Sequence, residues 1–328
     1  MTNFYGGIPE SQIPSGSGNG LFWTYGYPAP TAARYGHCLE TNGTDIFMFG
    51  GQAGPLLSSC EKYNITNNSW SSITALSTTR KNSFSVINGN DIYVLGGYAG
   101  AIQAYNHKYS ISGNSWDTSS LAALPVALYS AASAYWNGYI YVFGGLPTTT
   151  ESTVVNTVYK YDIVGNSWST MSASPMPTAL CYHRAITINN EIYIIAGSAG
   201  SIASSELFKY TPSISGDGSW TALTSRPVAS RWPAVANVGD YIYVLGGEMD
   251  GTSFTYSGNV NYRYSISTNT WERLLSFPTI NVYASDTIVA PLRVQWHGVS
   301  INDKIWLPTG GVVSHSTYTS SFLRLNNC

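Results

Sequence analysis

Three kinds of residue in this chain have the types and spacing to do chemistry. Glycine pairs end a series of hydrophobic runs, as in "DIYVLGGYAG" from Asp91 to Gly100. A glycine-rich loop behind a buried strand is one way to cradle a phosphate. Arg34 and Arg80 lie sixteen residues before the first glycine of a pair, and Arg231 and Arg293 lie one place from that register. His37, His183 and His297 lie thirteen before it, where other copies carry Ser83, Ala131 and Pro233. The carboxylates Glu206, Glu248, Asp250 and Asp286 are placed for acid–base work if folding brings them together.

The glycine pairs do not read as a nucleotide loop. None precedes a Gly-Lys-Ser/Thr signature and none opens a helix. Glycine there lets the backbone turn and pack closely without a Cβ. Cys38, Cys60, Cys181 and Cys328 share no CxxC spacing, so the expectation is free, mostly buried thiols and no zinc site.

Composition narrows the classes. Only 10% of the 328 residues are charged, against roughly 25% in an average soluble protein. The 25 Tyr and 10 Trp, with Ser, Thr, Asn and Gly, must supply much of the polar surface. Net charge is -2 and no basic run exists, which argues against a nucleic-acid partner. No stretch approaches the ~20 apolar residues of a membrane helix, so no membrane insertion is expected. The first twenty residues lack a basic start and an apolar core, so no secretory signal is expected. The sequons at Asn42 and Asn64 have no meaning without a secretory route.

The elements that must position these residues repeat. "DIFMFGG", "DIYVLGG", "YIYVFGG", "EIYIIAG", "YIYVLGG" and, more loosely, "KIWLPTGG" recur with a period of about 50 residues. Tyr63, Tyr109, Tyr161 and Tyr264 each precede a tryptophan by seven residues, namely Trp70, Trp116, Trp168 and Trp271. Between Tyr210 and Trp220 the interval is ten, because "SISGDG" lengthens the turn. Each unit divides into four short strands, with Asn-Gly-type turns supplying positive φ between the first two. No 3.6-residue amphipathic period of useful length appears, so the chain is all-β.

A glycine pair after a hydrophobic strand, then Tyr, then Trp, resembles the kelch repeat. The resemblance covers nearly the whole chain, with five good copies and a degraded sixth that has Leu325 in place of the Tyr. It implies a six-bladed kelch-type β-propeller with four antiparallel strands per blade. Blade signals fall near 31–74, 78–120, 125–172, 178–224, 229–275 and 291–328. The last unit has no fourth strand of its own. Trp23 followed by Pro28 and Pro30 resembles Trp168 followed by Pro175 and Pro177. A strand near 19–27 is therefore expected to complete blade six and close the ring. The propeller then spans 19–328, and residues 1–18 form an arm expected to dock on a neighbour.

Chain direction puts the 2–3 and 4–1 connections on one face, where their lengths vary, and the longest is the 4–1 connection over about 272–295. Function favours variable loops on a rigid scaffold, so the binding face is expected there. In kelch propellers that bind acidic peptides, arginines that start the first strands contact ligand carboxylates. That likeness nominates Arg34, Arg80, Arg231 and Arg293 as partner-binding residues, with Trp232, Tyr283, Asp286 and Trp296 beside them. The family's first strands line the central channel, which places His37, His183 and His297 there as further ligand- or partner-binding candidates. They come from blades one, four and six, too dispersed for joint chelation, so neither a metal nor another cofactor is expected. The repeated Tyr and Trp are expected to be inter-blade core.

The leading expectation is a non-enzymatic binding or assembly module that holds a protein partner or a glycan. Low charge, the absent signal, the arm and the lack of a fused BTB or F-box segment point to a component of a larger particle, such as a phage virion or tail, at a virion or extracellular surface. The rival is a carbohydrate-active kelch enzyme, resembling a sialic-acid mutarotase or galactose oxidase. The "SGDGSW" at Ser215 resembles a sialidase Asp-box, but it falls in a structural 3–4 turn.

Overall fold

The computed structural model describes residues 21–24, 27–28, 30–248, 260–277, 293–294, 297–308, 310–312, 317–319 and 322–326. Six four-stranded antiparallel sheets are arranged as blades. The innermost strands are Cys38–Thr41, Phe84–Asn88, Ala132–Trp136, Arg184–Ile188, Ala234–Val238 and Val299–Ile301. Each packs against the next, and Cys38–Thr41 packs against Val299–Ile301, so the ring is closed. No α-helix occurs among the described residues.

The second strand of each blade is an unbroken apolar run because both of its faces are covered. In Asp91–Leu95, Tyr93 and Leu95 pack with Leu128, Ile140 and Val142 of blade three. Ile92 and Val94 pack with Phe47 and Phe49 of blade one. Each inter-blade core is thus shared by two sheets.

The glycine pair sits where such a strand meets the next blade. Gly97 N donates to Leu128 O at 2.8 Å, and Gly51, Gly145 and Gly197 make the same bond to Arg80, Leu180 and Ser230. Gly96 has φ 55°, and a Cβ there would lie 2.3 Å from the Leu128 carbonyl. Both the conformation and the close approach require glycine. Blade four departs from the pattern with Ala196 at φ 59°.

The Tyr and Trp form the outer seam. Tyr63 faces Trp70 across adjacent strands, and the later copies repeat this register. Each indole N–H donates to a carbonyl of the preceding connection, as Trp168 does to Ala122 at 2.9 Å. Tyr161 Oη donates to Asn166 Oδ1 at 2.6 Å, and that oxygen also accepts from Ala122 N at 2.7 Å. Asn166 holds φ 47°, a left-handed position that asparagine tolerates. In blade four the longer turn substitutes Asp217, whose carboxylate accepts from Ala173 N at 2.6 Å. The Asp-box-like segment is therefore part of the seam.

Closure follows the expected route. Phe22–Thr24 pairs antiparallel with Leu323–Asn326 and sets Trp23 opposite Leu325, the position where other blades carry Tyr. One detail of blade six differs from expectation. Its second strand is Lys304–Leu307, and Gly310–Val312 leaves it to pair with Arg293–Val294 and Thr317–Thr319 in a separate three-stranded sheet. That glycine pair is thus strand, not a blade corner. The arm 1–18 lies outside the described residues. Cys38, Cys60 and Cys181 are free and buried. Among the described residues no helix is long and apolar enough to cross a membrane.

Candidate functional site

In blades one to five the first strand is entered through one residue bridged to the loop after the glycine pair: Tyr35 to Gln52, Lys81 to Tyr98, Tyr129 to Leu146, Cys181 to Ser198 and Arg231 to Glu248. The next residue is always left-handed: Gly36, Asn82, Ser130, Tyr182 and Trp232 have φ between 52° and 63°. That twist aims its N–H at the neighbouring blade. Asn82 N donates to Gly36 O at 2.7 Å, then Ser130 to Asn82, Tyr182 to Ser130 and Trp232 to Tyr182 at 2.9 Å each. A belt of backbone hydrogen bonds runs round the channel from blade one to blade five.

Above this belt, on the face of the 2–3 and 4–1 connections, opens a mouth of about 470 Å³. Tyr35, Tyr98, Tyr129, Tyr182 and Trp232 line it, together with Lys81, Glu151, Arg231 and Glu248. The Tyr182 and Trp232 rings lie 4.2 Å apart between centroids. The Arg231 guanidinium is 4.5 Å from the Trp232 ring and pairs with Glu151 at 2.9 Å and Glu248 at 2.8 Å. Burial works against its charge, but Glu248 and Glu151 outweigh that and hold its proton more tightly. Lys81 donates to Gln52 Oε1 at 2.7 Å and lies 5.5 Å from the Tyr35 ring. Burial lowers its pKa.

The arginines selected by register divide. Arg231, with Trp232, stands in the mouth. Arg34 and Arg80 do not reach it: they are 0% and 1% exposed. Arg34 turns back to bind the Gly50 and Ser59 carbonyls at 3.0 Å and Glu61 at 3.2 Å. Arg80 bonds Thr78 and the His107 ring and lies 4.9 Å from the Tyr105 ring. These two arginines therefore plug blade corners, because internal acceptors claim their guanidinium groups first. Arg226, outside the register, fills the corresponding corner of blade five through the Val260 and Gly246 carbonyls. The backbone of Arg293 lies in the extra sheet of blade six. Tyr283, Asp286 and Trp296 lie outside the described residues, as does Asp250. Glu206 is held by Thr178 and Ser204, away from the mouth.

Sequence reasoning missed Tyr35, Lys81, Tyr129, Tyr182 and Glu151. A signal for the first four was present: the residues from the arginine register onwards read "RYG", "RKN", "LYS", "LCY" and "SRW".

His183 and His297 line the channel below the belt, and the His37 ring lies 5.4 Å from that of His297. Burial, reinforced by Arg34 and Arg184, takes His37 down to about 3. Burial and Arg184 take His183 to about 3, and burial with Arg184 and His37 lowers His297 well below 6.5. Burial lowers Arg184 itself to about 10. Among the described residues no cluster of His, Cys, Asp or Glu could hold a metal ion.

A closed six-bladed wheel of four-stranded antiparallel sheets, with an aromatic, charge-paired mouth on its loop face, is a β-propeller, a class suited to protein binding. The chain belongs to the kelch-repeat β-propeller family. Residues 23–209 match the family model described as Attractin/LZTR1 beta-propeller, and residues 233–276 match the Kelch motif. Kelch-like protein 38 of Mus musculus is 29% identical over 52% of this chain and 28% of its own length. Kelch domain-containing protein 10 of Homo sapiens is 28% identical over 47% of this chain and 36% of its own. Beta-scruin of Limulus polyphemus is 26% identical over 56% of this chain and 19% of its own. The matched stretch thus spans about a third or less of these curated relatives. Among solved structures, that of YjhT superposes with a TM-score of 0.73 at 13% identity, covering 90% of this chain and 95% of that one, a likeness of fold.

Proposed function

We propose that this chain is a non-enzymatic binding module whose 2–3 and 4–1 loop face holds a protein or a glycan. The observation that carries this reading is the mouth: five aromatic side chains beside one bridged arginine. Aromatic rings with an anchored arginine form the centres of protein interfaces, and flat rings also suit the faces of sugars. A surface low in charge and rich in Ser, Thr, Asn and Tyr fits a structural or receptor-binding component of a larger particle such as a phage virion or tail. In that setting the arm 1–18 docks on a neighbouring subunit. The test is a glycan array run beside cross-linking of the full chain within its native assembly. Neither a glycan hit nor a protein cross-link to mouth residues would overturn the reading. Unchanged incorporation after deletion of residues 1–18 would overturn the arm's role.

One observation favours a second reading. Two carboxylates, Glu151 and Glu248, meet Arg231 in the mouth, an arrangement that suits acid–base work on a sugar. The chain would then be a carbohydrate-active kelch enzyme. Anomer exchange of reducing sugars and sialic acids, followed by NMR with and without the protein, tests it; rates equal to the uncatalysed ones sink it.

A further inference from the structure

Beneath the mouth the belt narrows the channel to a space of about 20 Å³, room for roughly one water. Below it a second cavity of about 260 Å³ is walled by all six innermost strands. Arg184 lines both spaces. His183 lines the larger one and is 0% exposed; its ring nitrogens make no hydrogen bond of good geometry, although the Phe143 and Cys181 backbones lie near enough to favour its protonated form slightly. His297 lines it too, and its ring lies 5.4 Å from that of His37. His37 is also 0% exposed with both nitrogens unpartnered.

Buried polar groups without partners are costly, and native interiors normally satisfy them. Here the unsatisfied groups are imidazoles gathered round a guanidinium that cannot lose its charge. An anion would accept from both kinds of donor. We propose that the belt end of this cavity is a binding site for a small oxyanion, a carboxylate or a phosphate, held by Arg184, His183 and His297. The belt bars the way from the mouth, so the ligand enters from the opposite face, where the first strands turn into the second. Glu40 lies two residues along its strand from Cys38, the counterpart of Arg184, so it sits roughly 7 Å further down the channel. It accepts from Ser85 Oγ at 2.6 Å, and because burial raises its carboxyl from 4.5 to about 7, its charge opposes a second anionic group at that end only above neutrality.

An anion at this place favours the imidazolium forms, so binding takes up protons and tightens as pH falls. The charged groups that act on the histidines are Arg34, beside His37, and Arg184, beside all three. The site is separate from the mouth, and its failure leaves the proposed function untouched.

The test is calorimetric titration of the full chain with sodium acetate and, separately, with inorganic phosphate. Saturable binding of either is expected, tighter as pH falls from neutrality for as long as the probe stays anionic, and whichever probe binds identifies the anion class. Arg184→Gln lowers that affinity at least tenfold, whereas Tyr98→Ala, in the mouth, leaves it within twofold. Should Arg184→Gln fail to fold, histidine ring NMR of the unaltered chain decides: the probe moves ring nitrogen signals towards the imidazolium position. No saturable binding of either probe, unchanged affinity in a folded Arg184→Gln chain, or unmoved ring signals overturns the site.

Discussion

Arg231 and Glu248 are joined three times. Their backbones exchange N–H···O bonds at 2.8 and 2.9 Å, and Nη2 lies 2.8 Å from Oε1. The carboxylate is 3% exposed, so the pair is buried and its members depend on one another. Removing one partner of such a pair strands the other charge. Arg231→Ala should therefore cost about 3 kcal/mol in urea unfolding. The double change Arg231→Met with Glu248→Leu should recover most of that loss yet still abolish partner binding. Equal instability of the single and double variants would contradict this account of the pair.

The aromatic rim carries the affinity in the proposed function. Trp232→Ala keeps a residue able to adopt the left-handed turn and removes the ring that packs on Tyr182. Loss of a central anchor of this kind costs about 2 kcal/mol or more. Binding to the glycan or protein recovered from the native assembly should weaken at least thirtyfold, with the circular dichroism spectrum unchanged. Affinity within threefold of the unaltered chain would remove Trp232 from the site.

Gly96 is predicted to be the least replaceable residue of blade two. Alanine there meets the Leu128 carbonyl and the Phe84 ring and must hold a left-handed backbone. Strain from conformation alone is about 1–2 kcal/mol, and the backbone clash adds to it. Gly96→Ala should lower stability by at least about 2 kcal/mol, whereas Gly89→Ala meets nothing within 4 Å and should cost less. Chemical denaturation of the two variants side by side is the check.

The seam makes a chemical prediction at Asn166. Asn166→Ala leaves the Tyr161 hydroxyl and the Ala122 N–H without their acceptor, which costs about 2 kcal/mol or more. Asn166→Asp keeps the acceptor, as Asp217 does for Ala173 N in blade four, but loses the Nδ2–H that donates to Ser120 O at 2.9 Å, so it should cost less than alanine without being neutral. A larger loss for Asp than for Ala in thermal melts would refute the assigned role.

Acid should destabilise the wheel through its channel. His37 and His183 are held near 3 in the folded chain against an ordinary 6.5. Stability they lend is complete above 6.5 and is lost progressively as pH falls towards 3, because the unfolded chain binds the protons first. Glu40 acts in the opposite sense. Burial raises it from 4.5 to about 7, so its contribution is full below 4.5 and lost as pH rises through 7. Urea unfolding between these limits should show a falling acid limb that becomes shallower in His183→Gln. An unchanged slope would mean that His183 titrates normally.

Much of the fold was legible because its signals are local and repeated. The doubly covered second strand writes itself as an apolar run, and the seam as Tyr and Trp at fixed spacing. Trp23 betrayed the closing strand in the same way. The site was half legible. Register found Arg231, Trp232 and the histidines. It could not tell that Arg34 and Arg80 fold inward, since that depends on acceptors such as Glu61 and His107 one or two strands away. Glu151 was invisible because it reaches Arg231 from a short 3-10 turn, Glu151–Thr153, inserted in the 2–3 connection of blade three. Arg184 and Arg226 stood outside the register that drew attention to the other arginines.

The pairing of Phe22–Thr24 with Leu323–Asn326 also sets a timetable. On the ribosome, five blades can form in turn while the sixth lacks both its partner strands. Until Leu323–Asn326 emerges, the arc of blades exposes an open edge on which a second chain could dock in register. Closing a loop of this length adds little entropy cost over a shorter one, because that cost grows only logarithmically with length. The hazard lies in the waiting time, and it ends when Leu323–Asn326 pairs with Phe22–Thr24.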